Sequence, residues 1–353
     1  MPARTSGPAR RPTLKMVAER AGVSTATASY VLAGRVGGGP GASATTVSRV
    51  RTAAREIGYR PNQAARTVRT GRSDLVLLSL TMLADPWSQA VSEAVSAAAG
   101  PVGLRSLILA DGNWADLLDG QPFDVAFVDS VRPSDGDRLR WLAGRGLRLI
   151  VFSDDLEPDG FDVINSPPLP GCELAVGHLL ERHTRIGCLV GSGPDGTMTS
   201  RAQPYLRLAA EAELDQRAGF VQQFGYNTAS AYEAALRLLD RPDRPTAVYA
   251  TTDFAAIAAI NAAQRLGLSV PGDLAVVGAG NTIESERVQP SLTSAGPVDF
   301  FNRLADLVVG VAQQPQRHPP ARHDFDWILH RRDSTGPHHD QLTATTEQEA
   351  QTT

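Results

Sequence analysis

The residues able to do chemistry form few recognisable catalytic patterns in this chain. A G-x-G-x-x-G stretch, Gly191-Ser192-Gly193-Pro194-Asp195-Gly196, follows an apolar run. Such glycines hold a dinucleotide pyrophosphate when a helix opens directly from them, but here further polar residues separate them from the next helical pattern. Ser192 lacks a G-x-S-x-G elbow, and no HExxH, P-loop or CxxC motif is present. An enzyme is therefore the disfavoured alternative.

The two cysteines and seven histidines give no disulfide or metal pattern. Cys172 and Cys188 are too few for a disulfide framework in a chain of this length, which predicts two reduced, partly buried thiols. His178 and His183 lie five residues apart, whereas side chains on one helix face lie three or four apart. We therefore expect no cofactor and no metal ion.

Charge is distributed unevenly along the chain. Residues 1–72 contain 13 Lys and Arg against 2 Asp and Glu, whereas residues 73–353 contain 21 against 36. A block of net charge +11 ahead of a body of −15 indicates a nucleic-acid-binding head. A solvated basic tail is the alternative, but it would lack the apolar periodicity found in residues 14–58.

Neither a membrane span nor an export signal is predicted. No run of about 18 apolar residues occurs, and the basic start MPARTSGPARRPTLK has no apolar stretch after it. We therefore expect a cytoplasmic protein without a membrane partner. A secreted solute-binding protein would need such a signal.

Elements that could position DNA contacts occur near the N-terminus. Thr13 can cap a helix from Leu14, Gly22 breaks it, and Ser24 can cap a second short helix from Thr25 to Leu32. This pattern predicts a helix-turn-helix. A flexible insert from Gly34 to Gly41 and a third helix over about 43–57 follow.

From residue 75 onward, apolar strands alternate with helical patterns. Continuous apolar strands separated by helices indicate parallel sheets covered on both faces, and about ten such units are too many for one sheet. The predicted fold is therefore an all-α helix-turn-helix head plus an α/β body of two lobes. The expected boundaries are a disordered arm over 1–12, the head over 13–59, a hinge helix or linker over 60–72, the body over 73–330 with lobe crossovers near 162–166 and 290–296, and a disordered tail over 331–353.

Two segments, TLKMVAERAGVSTATASYVLAG and AAREIGYRPNQAARTVRTG, resemble the LacI/GalR family of bacterial transcriptional regulators. RPDRPTAVYATTDFAAIAAINAAQRLGLSVPGDLAVVGAG resembles the distal lobe of that family more weakly. The resemblance implies a periplasmic-binding-protein-like body and a homodimer that binds a palindromic operator, acting as a repressor. It also implies a small-molecule effector, sugar-like or another polar metabolite, between the lobes.

The resemblance also implies DNA-binding roles for particular residues. Four match positions that hydrogen-bond phosphates and so set the register without reading sequence: Thr13, Ser24, Thr27 and Ser29. Three match base-reading positions at the start of the recognition helix: Thr25, Ala26 and Tyr30. Five match the hinge helix or flank it: Asn62, Ala65, Arg66, Val68 and Arg69. Val68 matches the position of the family's leucine wedge, which enters the minor groove. Solvated surface is the alternative for the hinge arginines.

Five body residues match effector contacts less closely: Ser88, Asp129, Arg201, Thr252 and Asp253. Arg201 corresponds to the arginine that grips effector hydroxyls or carboxylates, but pairing with Asp129 or Asp253 is an alternative. Asp253 is equally well interpreted as a helix N-cap.

Three positions depart from the pattern of the resembled family. Tyr30 stands where arginine is common, so a bidentate contact with guanine is lost there. Ala33 replaces a usual asparagine. Gly280 replaces an acid that relatives use on the effector, which counts against a conventional sugar ligand.

Overall fold

The computed structural model describes residues 12–32, 43–60, 67–68, 70–110, 113–129, 131–165, 167–192, 198–199, 201–215, 217–225, 227–314 and 318–336. The predicted N-terminal arm up to residue 11, the predicted insert from Gly34 to Gly41 and the tail over 337–353 lie outside these residues. The chain separates into two compact units, the head (1–73) and the body (74–353).

Within residues 12–60 the described part of the head contains three helices, α1 (Leu14–Ala21), α2 (Thr25–Leu32) and α3 (Ala44–Glu56). Each contributes small or β-branched residues to one apolar core, among them Val17, Ala28 and Val50. Because α1 and α2 are only two turns long, this shared core must stabilise them. The predicted helix-turn-helix and its buried face are confirmed.

Lobe 1 of the body contains a six-stranded sheet in the order β11-β5-β4-β3-β1-β2, with all pairs parallel. Its strands are β1 (Leu75–Ser79), β2 (Arg105–Leu109), β3 (Val125–Val128), β4 (Leu149–Phe152), β5 (Asp162–Ile164) and β11 (Arg322–His323). Its helices are α4 (Pro86–Ala99), α5 (Trp114–Gly120), α6 (Gly136–Gly144) and α12 (Phe300–Gln313).

Lobe 2 contains a second six-stranded sheet in the order β12-β10-β9-β8-β6-β7, in which only the β10–β12 pair is antiparallel. Its strands are β6 (Ile186–Gly191), β7 (Val221–Phe224), β8 (Ala247–Ala250), β9 (Ala275–Ala279), β10 (Thr293–Pro297) and β12 (Trp327–His330). Its helices are α7 (Pro168–Leu180), α8 (Ala202–Glu211), α9 (Thr228–Leu239), α10 (Asp253–Arg265) and α11 (Glu284–Arg287).

Each sheet has an apolar cluster on both faces. The central strands β3 and β8 are buried at every position, which matches the continuous apolar runs of a sheet covered by helices. The predicted two-lobed α/β class is therefore confirmed.

Among the described elements the chain passes between the lobes three times, between β5 and α7, between β10 and α12, and between β11 and β12. The crossover expected within 290–296 is wrong in position, because 293–297 is strand β10 of lobe 2. The third passage was not predicted, since β11 and β12 are too short to produce a strong apolar pattern.

The first residues assigned to a disordered tail are packed against lobe 2. Ser334 is fully buried and donates its hydroxyl to the Val276 carbonyl at 2.6 Å. Thr335 is also buried and shares a hydrogen bond of 2.9 Å with Thr293. The prediction of disorder is therefore wrong over 331–336. These polar side chains form hydrogen bonds with buried backbone groups of lobe 2, and composition alone does not reveal such partners.

Candidate nucleic-acid interface and ligand cavity

Two of the predicted phosphate-contacting residues, Thr13 and Ser24, cap the N-termini of helices in the head. Thr13 accepts the Met16 backbone N–H at 3.4 Å as the N-cap of α1. Ser24 accepts the Thr27 N–H at 3.1 Å ahead of α2 and exchanges a hydrogen bond of 2.9 Å with the Thr27 hydroxyl. Helix N-termini carry free N–H groups and a positive dipole end, so both starts suit an anion such as phosphate.

The predicted base-reading residues share one face of α2. Thr25 and Ala26 are exposed in its first turn, and Ser29 and Tyr30 are half-buried one turn later. Ala28 and Val31 on the opposite face are buried in the head core. The helix therefore presents a short polar and methyl-bearing face while its other face is fixed by packing.

Arg49 of α3 braces the turn that joins α1 to α2. Its Nη2 donates to the Ala21 carbonyl at 2.7 Å and to the Gly22 carbonyl at 3.3 Å, and its Nε donates to Ala21 at 3.2 Å. Gly22 has φ +60°, in the left-handed region that favours glycine. Arg49 was not identified from the sequence, because an arginine on an exposed helix position looks like solvated surface.

Val68 is the described member of the predicted hinge contacts, and its side chain is 88% exposed. Asn62, Ala65, Arg66 and Arg69 lie outside the described residues. An exposed apolar side chain in a basic segment is consistent with the predicted wedge, but it assigns no contact.

All five predicted effector residues line one cavity of about 200 Å³ between the lobes of the body. Ser88 and Asp129 contribute from lobe 1, whereas Arg201, Thr252 and Asp253 contribute from lobe 2. Several other lining residues were not predicted to contact a ligand: Asp85, Trp87, Phe152, Thr199, Phe224, Phe300 and Trp327.

Asp129 is held by one neighbour, because Thr81 donates its backbone N–H at 3.0 Å and its hydroxyl at 2.6 Å to the two carboxylate oxygens. Burial raises the pKa of Asp129 to about 6, against the lowering effect of these hydrogen bonds. Both oxygens are thus already engaged before any ligand binds.

Asp85 caps helix α4, with Oδ1 accepting the Trp87 backbone N–H at 2.9 Å. Burial, and then the charges of Asp253 and Asp129, raise the pKa of Asp85 to about 6, while Arg201 acts in the opposite direction. A sequence signal existed here, since Asp-Pro before an apolar helix is a helix-start pattern. It did not indicate that the carboxylate faces a cavity.

Asp253 is buried, and both of its carboxylate oxygens accept hydrogen bonds from lobe 2. Oδ1 accepts the Ser294 hydroxyl. Oδ2 accepts the Thr282 backbone N–H at 2.7 Å and the Thr282 hydroxyl at 3.0 Å. Burial raises its pKa. The N-cap interpretation of Asp253 is wrong by one residue, because Thr252 caps α10 by accepting the Ala255 N–H at 3.2 Å.

Arg201 is sparsely bonded in the described part of the chain. Its Nη1 donates to the Thr251 carbonyl at 3.5 Å, and none of the described carboxylates lies within 4.0 Å of its guanidinium. The predicted alternative, pairing with Asp129 or Asp253, is therefore not formed in this structure. Most of its donors remain available to a ligand.

Gly280 lines the same cavity with φ +128°. A side chain is strained at that backbone conformation, and an added Cβ would lie 3.6 Å from Asp253 Oδ2. The backbone at this position therefore favours glycine over the acidic residue that the family resemblance implies.

Features typical of other protein classes are not found in the described residues. Strand β6 ends at Gly191 and the next described helix, α8, begins only at Ala202, whereas a dinucleotide site needs a helix that opens directly from its glycines. Within the described ranges no helix is long and apolar enough to cross a membrane.

Comparison with known proteins identifies both units. The model of bacterial regulatory proteins of the lacI family matches residues 13–62, and that of a periplasmic binding protein-like domain matches residues 176–335. The transcriptional regulator CelR of Thermobifida fusca is 30% identical over 87% of this chain and 95% of its own length. The chain belongs to the LacI family.

Two solved structures extend the LacI-family likeness. A CelR–cellobiose complex is 25% identical, with a TM-score of 0.60 over 92% of this chain and all of that one. A Lac repressor dimer bound to operator and the anti-inducer ONPF is 21% identical, with a TM-score of 0.68 over 93% of this chain and all of that one. The second likeness bears on the fold alone. The named relatives are transcriptional regulators, not enzymes.

Proposed function

We propose that this LacI-family regulator is a repressor that binds a palindromic operator in double-stranded DNA as a homodimer in the cytoplasm. The observation that carries the proposal is the exposed start of α2 in a strongly basic head, with Thr25 and Ala26 facing outward. Short methyl-bearing side chains suit a thymine methyl group, and Tyr30 can add one hydrogen bond. The hydroxyls of Thr13, Ser24, Thr27 and Ser29 would contact phosphates.

The hinge residues would add contacts in the minor groove. We propose that Val68 acts as an apolar wedge between base steps, flanked by Asn62, Ala65, Arg66 and Arg69. Support comes from the exposure of Val68 and from the Lac repressor dimer, whose structure was solved on its operator.

The body would bind a small polar effector in the cavity and alter the affinity for DNA. Ser88, Asp129, Arg201 and the Thr252–Asp253 pair line this cavity from two lobes, and a ligand there favours one lobe arrangement only by its differential affinity. CelR is known in complex with cellobiose, so a relative of this chain binds a small polar molecule.

Selection from a randomised DNA pool with wild-type protein and the Tyr30→Arg variant tests the proposal. We expect wild type to return an inverted repeat, and Tyr30→Arg to return a repeat with a changed half-site, because arginine can bind guanine through two hydrogen bonds. Arg265→Gln, exposed on α10 of the body, is the control and should return the wild-type site. The same half-site from wild type and Tyr30→Arg would refute the assignment of α2, and no enrichment would refute DNA recognition.

A further inference from the structure

Charged side chains of both signs line the cavity between the lobes. Lobe 1 contributes Asp85 and Asp129, and lobe 2 contributes Arg201 and Asp253. A ligand that spans the cavity from Asp85 to Arg201 therefore meets a carboxylate at one end and a guanidinium at the other.

Three groups on these walls have unused hydrogen-bonding capacity. In the described residues Asp85 accepts its hydrogen bond through Oδ1, Arg201 makes one long bond of 3.5 Å, and the buried Thr199 hydroxyl has no hydrogen-bond partner. Asp129 and Asp253, by contrast, already accept hydrogen bonds on both carboxylate oxygens, from Thr81, Thr282 and Ser294. Asp85 and Arg201 are therefore the charged groups with the most hydrogen-bonding capacity left for a ligand.

An aromatic surface lies beside Asp85. Trp87 follows it by two residues, and the Trp87 ring centroid lies 5.1 Å from that of Phe152 and 6.0 Å from that of Phe300. All three rings line the cavity. An ammonium group next to a carboxylate and an indole face gains from both the ion pair and the cation–π attraction.

A neutral ligand fits these walls less well than a doubly charged one. Closure of the lobes around a neutral molecule would desolvate Asp85 and Arg201, although among the described residues no opposite charge lies within 4.0 Å of either. Burial of an ion without a partner of opposite charge is unfavourable. A purely anionic ligand would meet the Asp85, Asp129 and Asp253 carboxylates, whereas a purely cationic one would leave Arg201 unpaired.

We propose that the effector is a small zwitterion, with its ammonium group on Asp85 and the Trp87 face and its carboxylate on Arg201. This rests on the proposed ligand role of the cavity and names the chemical class of the ligand. The two ends of the molecule contact different lobes, so such a ligand holds the lobes together and has a fixed orientation.

Calorimetric titration of the purified full chain with charge-matched probes tests the proposal. The zwitterionic probes are the standard amino acids and glycine betaine. The probes that lack one charge are the carboxamide and N-acetyl derivatives of each amino acid that binds, and choline in place of betaine. The neutral probes are glucose and cellobiose. We expect at least one zwitterion to bind and each derivative lacking one charge to bind about 30-fold or more weakly, as for loss of one partner of a desolvated charge pair.

Two variants assign the charges to their residues. Asp85→Asn keeps a favourable N-cap for α4 and should weaken the zwitterion while leaving the N-acetyl derivative unchanged. Arg201→Gln should weaken the zwitterion while leaving the carboxamide or choline unchanged. The matched controls are Asp306→Asn and Arg265→Gln, at exposed positions of the body, and they should bind like wild type.

Binding of glucose or cellobiose alone, equal binding of charged and discharged probes, or binding of no probe would each overturn the proposal. If a variant fails to fold, as shown by circular dichroism, the probe comparison on wild type still decides. A gel shift of the same preparation on the selected inverted repeat measures DNA binding. DNA binding without binding of a zwitterion would overturn the ligand proposal alone, whereas loss of DNA binding would count against the proposed regulator function.

Discussion

The cavity acids differ in function although all three are aspartates. Among the described residues, Asp85 accepts a hydrogen bond through one oxygen only. Asp129 accepts two hydrogen bonds from Thr81, and Asp253 anchors the loop carrying Thr282 and Ser294 on β10. Residue type alone does not distinguish these roles. What separates them is the number of donors that the fold delivers to each carboxylate.

Asp129 makes the stability of the body depend on pH. Its pKa is raised from 3.8 to about 6 by burial, so the folded state binds its proton more tightly than the unfolded state. The contribution is therefore complete below about pH 4 and is lost as the pH rises through about 6. Between pH 5 and pH 8 it amounts to on the order of 1 kcal/mol of unfolding free energy.

We expect Asp129→Asn to remove this part of the pH dependence, because an amide does not titrate. The variant should still fold, because the amide oxygen can accept a hydrogen bond from Thr81. Urea unfolding followed by tryptophan fluorescence at pH 5 and pH 8 measures it, because all four tryptophans lie in the body. Asp306→Asn serves as the exposed control. A pH dependence that is the same in wild type, Asp129→Asn and the control would contradict the prediction.

At the scale of elements, the C-terminal segment over 331–336 acts as part of lobe 2. Ser334 accepts the Thr293 backbone N–H at 2.9 Å, and Thr335 shares a hydrogen bond of 3.0 Å with His178 of α7. The segment therefore joins β9, β10 and α7 after the last strand has ended. Its short length and polar composition conceal this role.

A chain ending after residue 330 is expected to be less stable than one ending after residue 336. The loss should be about 3 kcal/mol or more, because removal leaves the Val276 carbonyl and the Thr293 N–H buried without these partners, at about 1–3 kcal/mol each. Chemical denaturation of the two chains measures the difference. Ser334→Ala in the longer chain should reproduce part of the loss, and equal stability of both chains would show that the segment is dispensable.

At the scale of the whole molecule, each of the two units has its own apolar core. The head core draws on residues between Leu14 and Tyr59, while the body cores draw on residues from 75 onward. Separate cores allow one unit to keep its fold when the other is removed. DNA binding and ligand binding are thereby assigned to different units.

The fragment 74–353 is expected to fold and to retain the ligand affinity of the full chain while losing DNA binding. Its tryptophan-detected urea transition should match that of the full chain, because the four tryptophans and their surroundings belong to the body. Titration with the ligand and gel shift complete the measurement. A fragment that does not fold, or that still binds the operator, would contradict this division.

The sequence by itself determined the class of the protein and most of its elements. Caps at Thr13 and Ser24, the break at Gly22 and the apolar periodicity of α1 to α3 are local signals, and they predicted the head correctly. Long apolar strands such as β3 and β8 likewise indicated covered parallel sheets. These features are encoded within a few residues, so they can be read without knowing the fold.

Tertiary structure decided which polar groups stay free and where the chain crosses between lobes. Arg49 bonds to Ala21 across 28 positions of sequence, and Asp253 meets Ser294 across 41. The unused hydrogen-bonding capacity of Asp85, Thr199 and Arg201 likewise depends on which distant donors and acceptors the fold brings to each group. Short strands such as β11 and β12 form because a sheet edge is available to them, and that edge exists only in the folded molecule.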